Sequence, residues 1–420
     1  MKPLVARRGR LHSLVILTGV AVVIVCCALV GSAAGAGATT TVPLDVAQKS
    51  SFTVHARDLG EFGGEPPQIE SPSAILINMT TGRVLYERKA YSQRPVASTT
   101  KIMTGILILE QMRLDEDVPV SAAAAATVET HPWLKEGDVL SVEQMLRALM
   151  VRSSNQASVA LAEACSGSLE AFVQEMNDKA AELGLDDTHF VHPSGLDRDG
   201  HVSTAADMAE LARYAMQNED FCELVGIEEY RISVPGRDKT ITGENTNELL
   251  GSVEWVTGIK TGLTPKAKQC LVASASREGV NVISVVLGQP IPDKCWADSK
   301  ALLEHGLSQY RYVTLMEEGV AVAEAEVPYR LDGRVQLATS QALGVELYKD
   351  DSVTASIVLD RPLTLPVVEG DVFGRVTLEV EGATVGAADL VATQSYGETT
   401  LGSKVAYFWR RLGRLMGRVF

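Results

Sequence analysis

Apolar residues recur at helical spacing in six stretches of the chain. These stretches are 97–110, 141–152, 155–167, 168–183, 204–217 and 298–310. Ser141 is followed three residues later by Gln144, a capping-box pattern, and Gly167 is a helix stop signal. The spacing therefore predicts a helical middle for the chain, closed by one further helix.

Extended apolar runs lie on both sides of the helical stretches. Residues 73–79 and 83–87 surround a Thr-Thr-Gly turn and predict a hairpin. Residues 258–263, 269–276 and 280–287 predict further strands, and the short connection between the last two favours antiparallel neighbours. We expect an α+β fold in which an antiparallel sheet is flanked by helices and carries a helical subdomain.

Composition shifts divide the rest of the chain into segments. Residues 39–68 are rich in Gly and Pro without a sustained apolar period, which predicts a linker. Residues 69–312 hold the predicted sheet and helices. From 313 to 398 the pattern changes to short β-branched runs, which predict a separate, small β-sandwich-like domain with no catalytic constellation.

The N-terminal 38 residues have the pattern of an export signal. Four basic residues and no acidic residue precede an apolar run at 11–30, and a tract of small residues follows at 31–38. The apolar run is long for a cleaved signal, so an uncleaved N-terminal anchor is the alternative. In either case we expect the remaining chain at the outer face of the cytoplasmic membrane.

Residues 399–420 predict a basic amphipathic helix. Its apolar residues fall at helical spacing, and its basic residues lie largely elsewhere: Val405, Phe408, Trp409, Leu412, Met416 and Val419 against Lys404, Arg410, Arg411, Arg414 and Arg418. This combination is typical of a helix bound to an anionic membrane surface. Packing on the β domain or on a partner protein is the alternative.

Composition and charge narrow the function. With 420 residues, 46% of them hydrophobic, the chain can form two globular domains, and its net charge of -15 argues against a nucleic-acid partner. Cys26 and Cys27 lie in the export signal, while Cys165, Cys222, Cys270 and Cys295 lack metal-ligand spacing. We expect no metal and no cofactor, and the sequence leaves disulfides and free thiols equally open.

Three short stretches carry candidate chemistry. Ser98 and Lys101 lie one helical turn apart at a predicted helix N-terminus, where Ser98 is a suitable cap and the amine can take a proton from the hydroxyl. Ser153-Ser154-Asn155 falls in the break between two helices. Lys260-Thr261-Gly262 lies on a predicted strand, where glycine allows close approach of a substrate backbone.

Taken together, these stretches form a known signature. Ser-x-x-Lys, a Ser-x-Asn form of the second motif and Lys-Thr-Gly occur in the order found in penicillin-binding proteins and class A β-lactamases. From residue 69 onwards the chain resembles the serine-type D-Ala-D-Ala carboxypeptidases, the low-molecular-mass penicillin-binding proteins. Further stretches carry the resemblance: 94–97, 192–197, 203–209, 245–247 and 365–371.

The resemblance implies an activity and residue roles. Ser98 would attack the terminal D-Ala-D-Ala bond of a peptidoglycan stem peptide and would be acylated by β-lactams, with Lys101 as the base and Ser153 as a proton relay. The backbone N–H groups of Ser98 and Leu263 would form the oxyanion hole. The substrate-binding residues would be Asn155, Lys260, Thr261, Gly262 and Leu263.

Several alternatives and departures stay open. A class A β-lactamase would need a deacylating glutamate, for which Glu170 and Glu175 are the candidates; a transpeptidase or a non-catalytic penicillin-binding scaffold would keep the same motifs. Gln156 replaces an acidic residue common in relatives, and Leu263 replaces a polar one. For three histidines a structural role in a loop is expected: His189, His192 and His201.

Overall fold

The fold is described from a computed structural model that covers residues 42–44, 49–129, 133–234, 236, 240–330 and 333–416. The predicted export signal at 1–38 lies outside the described residues. Within them, none of the helices is both long enough and apolar enough to cross a membrane.

Eighteen strands are present in the described residues. In chain order they are β1 Val42–Leu44, β2 Lys49–His55, β3 Ser73–Asn78, β4 Val84–Arg88, β5 Asp117–Pro119, β6 Val139–Ser141, β7 Glu229–Ser233, β8 Thr240–Glu244, β9 Val256–Thr264, β10 Lys268–Arg277, β11 Val280–Gln289, β12 Tyr310–Met316, β13 Ala321–Glu326, β14 Arg334–Thr339, β15 Leu343–Tyr348, β16 Ser352–Leu359, β17 Val372–Val380 and β18 Ala383–Ala392.

Nine α-helices accompany these strands in the described part of the chain. They are α1 Lys101–Gln111, α2 Ala122–Ala126, α3 Val142–Met150, α4 Asn155–Ser166, α5 Leu169–Glu182, α6 Ala205–Ala215, α7 Glu219–Val225, α8 Pro292–Ser308 and α9 Leu401–Met416. Two short 3₁₀ helices lie at Ala56–Leu59 and Ala97–Thr100.

The chain forms two compact units. The first contains Ala56–Val313 and Glu346–Asp351, and the second contains Thr314–Val345, Ser352–Phe420 and the residues up to His55. The α+β fold class is confirmed: an antiparallel sheet with helices, and a separate all-β part towards the C-terminus.

The first unit is built on a five-stranded antiparallel sheet. Its strand order is β4-β3-β11-β10-β9, which leaves β9 at one edge. Ile75 and Ile77 of β3 face a core shared with the helical subdomain, whereas Ala74 and Leu76 face the core shared with α8. Because both faces are covered, β3 is buried along its whole length and reads as a continuous apolar run.

The helix signals of the sequence match the observed ends closely. The Ser141–Gln144 capping box is formed at α3, and Ser168 and Thr204 cap α5 and α6 through their side-chain oxygens. Gly167 ends α4 in the left-handed conformation that glycine adopts without strain. These ends are set by contacts within four residues, so the local sequence is sufficient to predict them.

Two helices differ from the prediction at their first turns. The stretch starting at Ala97 opens as a 3₁₀ turn, so α1 begins only at Lys101. Helix α8 begins at Pro292, six residues before the predicted start at Asp298, with proline in its first turn. Proline is favourable there because the first-turn N–H has no partner within the helix.

The second unit contains a seven-stranded sheet that corrects the linker prediction for 39–68. Its order is β1-β13-β14-β18-β17-β16-β2, so two strands come from the segment before the first unit. Strand β2 pairs antiparallel with β16, and β1 pairs parallel with β13. Strand β2 has no buried side chain, so its pairing through the backbone leaves no apolar period in the sequence.

Helix α9 follows the seven-stranded sheet in the second unit. Lys404 lies over the ring of Tyr329, and Tyr407 makes an edge contact with the same ring, with centroids 6.0 Å apart. Val405, Phe408 and Trp409 are 50%, 61% and 64% exposed. These three apolar side chains of the predicted amphipathic helix therefore face solvent.

Candidate active site

The Ala97–Thr100 turn carries Ser98 at the edge of the sheet. Ser98 does not cap a helix as the sequence predicts, because α1 begins at Lys101 and its N-cap makes no side-chain hydrogen bond. The hydroxyl is instead directed to Lys101, whose Nζ lies 2.8 Å from Ser98 Oγ. The i, i+3 spacing therefore brings the two groups into contact across the start of α1.

Lys101 is fully buried, and its amine has three oxygen neighbours. Besides Ser98 Oγ, Nζ lies 2.8 Å from Asn155 Oδ1 and 2.7 Å from the carbonyl oxygen of Ser194. A neutral amine has two N–H donors and one lone pair. Two donated bonds, to Asn155 and Ser194, leave that lone pair for the Ser98 hydroxyl.

The environment favours this neutral form. Burial, followed by the positive charge of Lys260, holds the pKa of Lys101 well below its usual value, whereas Glu129 acts in the opposite direction. Desolvation penalises an ammonium ion, and a second cation adds to that penalty. Lys101 therefore loses its proton more readily than an exposed lysine does, which suits it to accept a proton from Ser98.

The break between α3 and α4 brings the second motif to the same place. Ser154 caps α4, and Asn155 is its first residue, with Oδ1 on Lys101 and Nδ2 donating to the carbonyl oxygen of Val128 at 2.9 Å. Ser153 adopts a positive φ of 64° just before the cap. Its hydroxyl has no hydrogen-bond partner among the described residues and is half-exposed.

Strand β9 supplies the third motif from the sheet edge. Lys260 is buried, and desolvation lowers its pKa to about 7. The Thr261 and Thr246 hydroxyls are 2.6 Å apart, and the Leu263 side chain is 64% exposed. All eight site residues predicted from sequence thus lie on the Ala97–Thr100 turn, on α1, at the start of α4 or on β9.

The structure gives a reason for glycine at position 262 in addition to the predicted close approach of substrate. A Cβ at this position would lie 2.8 Å from the backbone nitrogen of Ser98 and 3.0 Å from the carbonyl oxygen of Val96. Glycine is therefore required because β9 packs directly against the turn that carries Ser98.

The loop at residues 188–204 covers the other side of the site. Ser194 provides the carbonyl oxygen on Lys101, and a Cβ at Gly195 would lie 1.9 Å from the carbonyl oxygen of Ala97. His201 accepts a bond from Val191 N–H through Nδ1, so its Nε2 donates to Thr100 Oγ1. Burial lowers the pKa of both His192 and His201 to about 4.

Two of the loop histidines also make hydrogen bonds within the loop through Nδ1. Nδ1 of His192 accepts from Ser194 N–H, and Nδ1 of His189 lies 3.0 Å from the carbonyl oxygen of Gly200. Across the described ranges, no group of three or more His, Cys, Asp or Glu side chains is placed to hold a metal ion.

Comparison with known proteins identifies the chain. A family model described as D-alanyl-D-alanine carboxypeptidase matches residues 61–290, and one described as the C-terminal domain of penicillin-binding protein 5 matches residues 310–398. The chain belongs to the D-alanyl-D-alanine carboxypeptidase family. It is accordingly a serine peptidase, and the resemblance inferred from the three motifs is confirmed.

Individual members of the carboxypeptidase family match over most of their length. The D-alanyl-D-alanine carboxypeptidase DacF of Bacillus subtilis (strain 168) is 33% identical over 356 residues, covering 83% of this chain and 90% of DacF. Penicillin-binding protein 5 from Haemophilus influenzae matches in structure with a TM-score of 0.57 and 29% identity, covering 80% of this chain and all of that one. The Streptomyces K15 DD-transpeptidase matches with a TM-score of 0.56 and 32% identity, covering 58% and 99%.

The structural roles of two residues around this site were not recognised from sequence, although Gln156 stands out there as a departure from relatives. Glu129 accepts hydrogen bonds at the start of α4, and it lies in a segment that has no periodic pattern. Gln156 is fully buried and points away from Ser98: its Oε1 accepts from the N–H groups of Trp133 and Leu134, and its Nε2 donates to the carbonyl oxygens of Ala125 and Leu134. A single signal was present for Gln156, its position directly after the Asn155 motif.

Proposed function

We propose that this protein removes the C-terminal D-alanine from peptidoglycan pentapeptide stems through an acyl-enzyme on Ser98, and that β-lactams inhibit it by acylating the same hydroxyl. The observation that carries the proposal is the 2.8 Å contact between Ser98 Oγ and the buried amine of Lys101. This pair supplies a nucleophile and a base without any further group.

Acylation begins with proton transfer. Lys101 Nζ takes the proton of Ser98 Oγ as the oxygen attacks the carbonyl carbon of the terminal D-Ala-D-Ala bond. The resulting oxyanion accepts hydrogen bonds from the backbone N–H groups of Ser98 and Leu263. The C–N bond then breaks, and D-alanine leaves after its amine receives a proton. The relay for this proton is the Ser153 hydroxyl, which has no hydrogen-bond partner within the described part of the chain. Water completes the cycle by hydrolysing the ester.

Substrate recognition uses the β9 side of the site. A peptide ending in D-alanine carries a free carboxylate, which pairs with the Lys260 ammonium and accepts a bond from Thr261. Both side chains are almost fully buried. Since a buried cation strongly favours a negatively charged ligand, this pairing selects a chain end over an internal peptide bond.

A β-lactamase is disfavoured by the positions of the candidate glutamates. Glu170 is exposed, and Glu175 accepts a hydrogen bond from Gln111 at the far end of α1. Gln111 lies ten residues beyond Lys101 along that helix, about 15 Å at the helical rise of 1.5 Å per residue. Glu175 is therefore remote from the Ser98 ester that a class A enzyme would hydrolyse quickly.

A transpeptidase would use the same acyl-enzyme with an amine in place of water. The solved K15 relative is described as a DD-transpeptidase, so the two outcomes share one architecture. Product analysis with a diacyl-D-Ala-D-Ala peptide, with and without an added D-amino acid acceptor, separates them. Free D-alanine with no acceptor adduct supports the carboxypeptidase.

The test of the proposal is mass spectrometry of the protein with penicillin, together with D-alanine release. We expect a stable adduct on Ser98 and release of D-alanine from the peptide, both abolished in S98A. The matched control is S92A, which removes an exposed hydroxyl six residues earlier. Absence of both the adduct and D-alanine would overturn the enzyme proposal, and rapid penicillin turnover would indicate a β-lactamase.

We also propose that the protein acts at the outer face of the cytoplasmic membrane, with α9 on the anionic lipid surface. Support comes from the exposed Val405, Phe408 and Trp409 side chains and from the basic residues of α9. The export pattern of residues 1–38 agrees with this location.

A further inference from the structure

Glu129 lies at the N-terminus of α4, in the segment between α2 and α3. Its Oε2 accepts three hydrogen bonds: from Asn155 N–H at 2.7 Å, from the Ser154 hydroxyl at 2.8 Å and from Gln156 N–H at 3.2 Å. A carboxylate in this position satisfies first-turn N–H groups that have no partner within the helix and interacts favourably with the helix dipole. It therefore holds the backbone of the second motif in place.

The same segment also fixes the Asn155 side chain. The carbonyl oxygen of Val128, the residue before Glu129, accepts from Asn155 Nδ2 at 2.9 Å. With the amide nitrogen held there, Oδ1 must face the opposite way, where it lies 2.8 Å from Lys101 Nζ. Asn155 thus donates two hydrogen bonds to this segment, one from its backbone N–H to Glu129 and one from its side-chain amide to Val128.

The negative charge of Glu129 also affects the pKa of the Lys101 amine. Lys260 on β9 lowers the pKa of Lys101, and Glu129 raises it. His192 and His201, on the loop at 188–204, also face Lys101; burial lowers the pKa of each to about 4, so above that pH their rings are mainly neutral. Among these groups, only Glu129 opposes the effect of Lys260.

We propose that Glu129 is a positioning residue for acylation: it orients Asn155 against Lys101, and its negative charge acts on the Lys101 amine. This rests on the proposed function, in which Lys101 takes the proton of Ser98. The sequence carries no sign of it, because Glu129 and Asn155 are 26 residues apart along the chain.

Two substitutions separate the charge from the geometry. E129Q keeps an oxygen that can accept the three bonds but removes the charge, so Lys101 stays neutral to lower pH. We expect the acid limb of the acylation rate to move down by about 0.5–1 pH unit, with a plateau within about threefold of wild type. E129D keeps the charge, but its side chain is one methylene shorter, so its oxygens lie farther from the start of α4. The acid limb of the acylation rate should therefore stay at the same pH, whereas the plateau rate should fall about tenfold or more.

The measurement is the second-order rate constant for penicillin acylation of Ser98 between pH 4 and 9, in the full chain. E163Q is the matched control, because Glu163 is on α4 and accepts from the Ser121 hydroxyl at 2.6 Å, away from Asn155. The acid limb and the plateau of the E163Q acylation rate should both match those of wild type. An acylated wild type with an unmoved acid limb in E129Q overturns this inference alone, whereas a wild type that is not acylated overturns the proposed function and this inference together.

Discussion

Gly262 and Ser98 are in direct backbone contact: a Cβ on Gly262 would lie 2.8 Å from the Ser98 nitrogen. The edge strand β9 therefore packs directly against the turn that carries the hydroxyl. In the proposed mechanism, the Ser98 N–H is one of the two oxyanion donors. The contact thus sets the distance between the two halves of the oxyanion hole.

Replacing Gly262 by Ala should remove acylation while leaving the fold intact. The added methyl group must push the Ser98 turn away from β9, and a displacement near 1 Å typically costs about 100-fold in rate. The measurement is the penicillin acylation rate, with circular dichroism for the fold. G64A is the control, since a Cβ there meets no atom within 4 Å. Acylation of G262A at the wild-type rate would contradict the packing argument.

Substrate binding should weaken as the pH rises through about 7. Lys260 has its pKa lowered to about 7, so the free enzyme loses that positive charge above this pH, and with it the partner for the substrate carboxylate. We expect kcat/KM to fall on the alkaline side, mainly through KM. In K260R the charge persists, because a guanidinium does not deprotonate in this range, and the alkaline limb should disappear.

The control for this profile is K266R, at an exposed lysine paired with Asp199. Its alkaline limb should match that of wild type. If the alkaline limb of kcat/KM is unchanged in K260R, the titration of a group other than Lys260 causes that limb.

Gln156→Ala should destabilise the protein by roughly 2–4 kcal/mol. The substitution removes the partner that Gln156 provides to the N–H groups of Trp133 and Leu134 and to the carbonyl oxygens of Ala125 and Leu134, and unpaired buried polar groups are costly. Urea unfolding gives the change in free energy. Q174A is the control, because Gln174 is exposed and its amide donates a hydrogen bond to Asp178, one turn along the same helix. A loss within roughly 0.5 kcal/mol for Q156A would contradict the structural role.

Removing the exposed aromatic residues of α9 should release the protein from anionic vesicles. Burial of a large apolar side chain contributes about 1.5–3 kcal/mol, so F408S/W409S should weaken binding at least about tenfold. Co-sedimentation of protein lacking residues 1–38 measures this. V320S, at a residue 40% exposed in the same unit, is the control. Binding that survives both F408S/W409S and deletion after Thr400 would leave the surface role of α9 without support.

Most of the fold could be predicted because its signals are local. The capping box at Ser141, the caps at Ser168 and Thr204 and the stop at Gly167 each depend on residues within one helical turn. The β2 strand could not be predicted, since its partner β16 lies about 300 residues away and no side chain of β2 is buried.

The sequence by itself determined which groups are available for chemistry: a Ser and a Lys at i, i+3, an Asn at a helix start, and a Lys-Thr-Gly strand. The tertiary structure decided how they act. It buried Lys101 beside Lys260, so that desolvation and repulsion favour a neutral amine. It also brought the Glu129 carboxylate to the backbone N–H of Asn155 and packed Gly262 against the backbone of Ser98. Both contacts join segments that are distant in the sequence, so they form only when the chain folds.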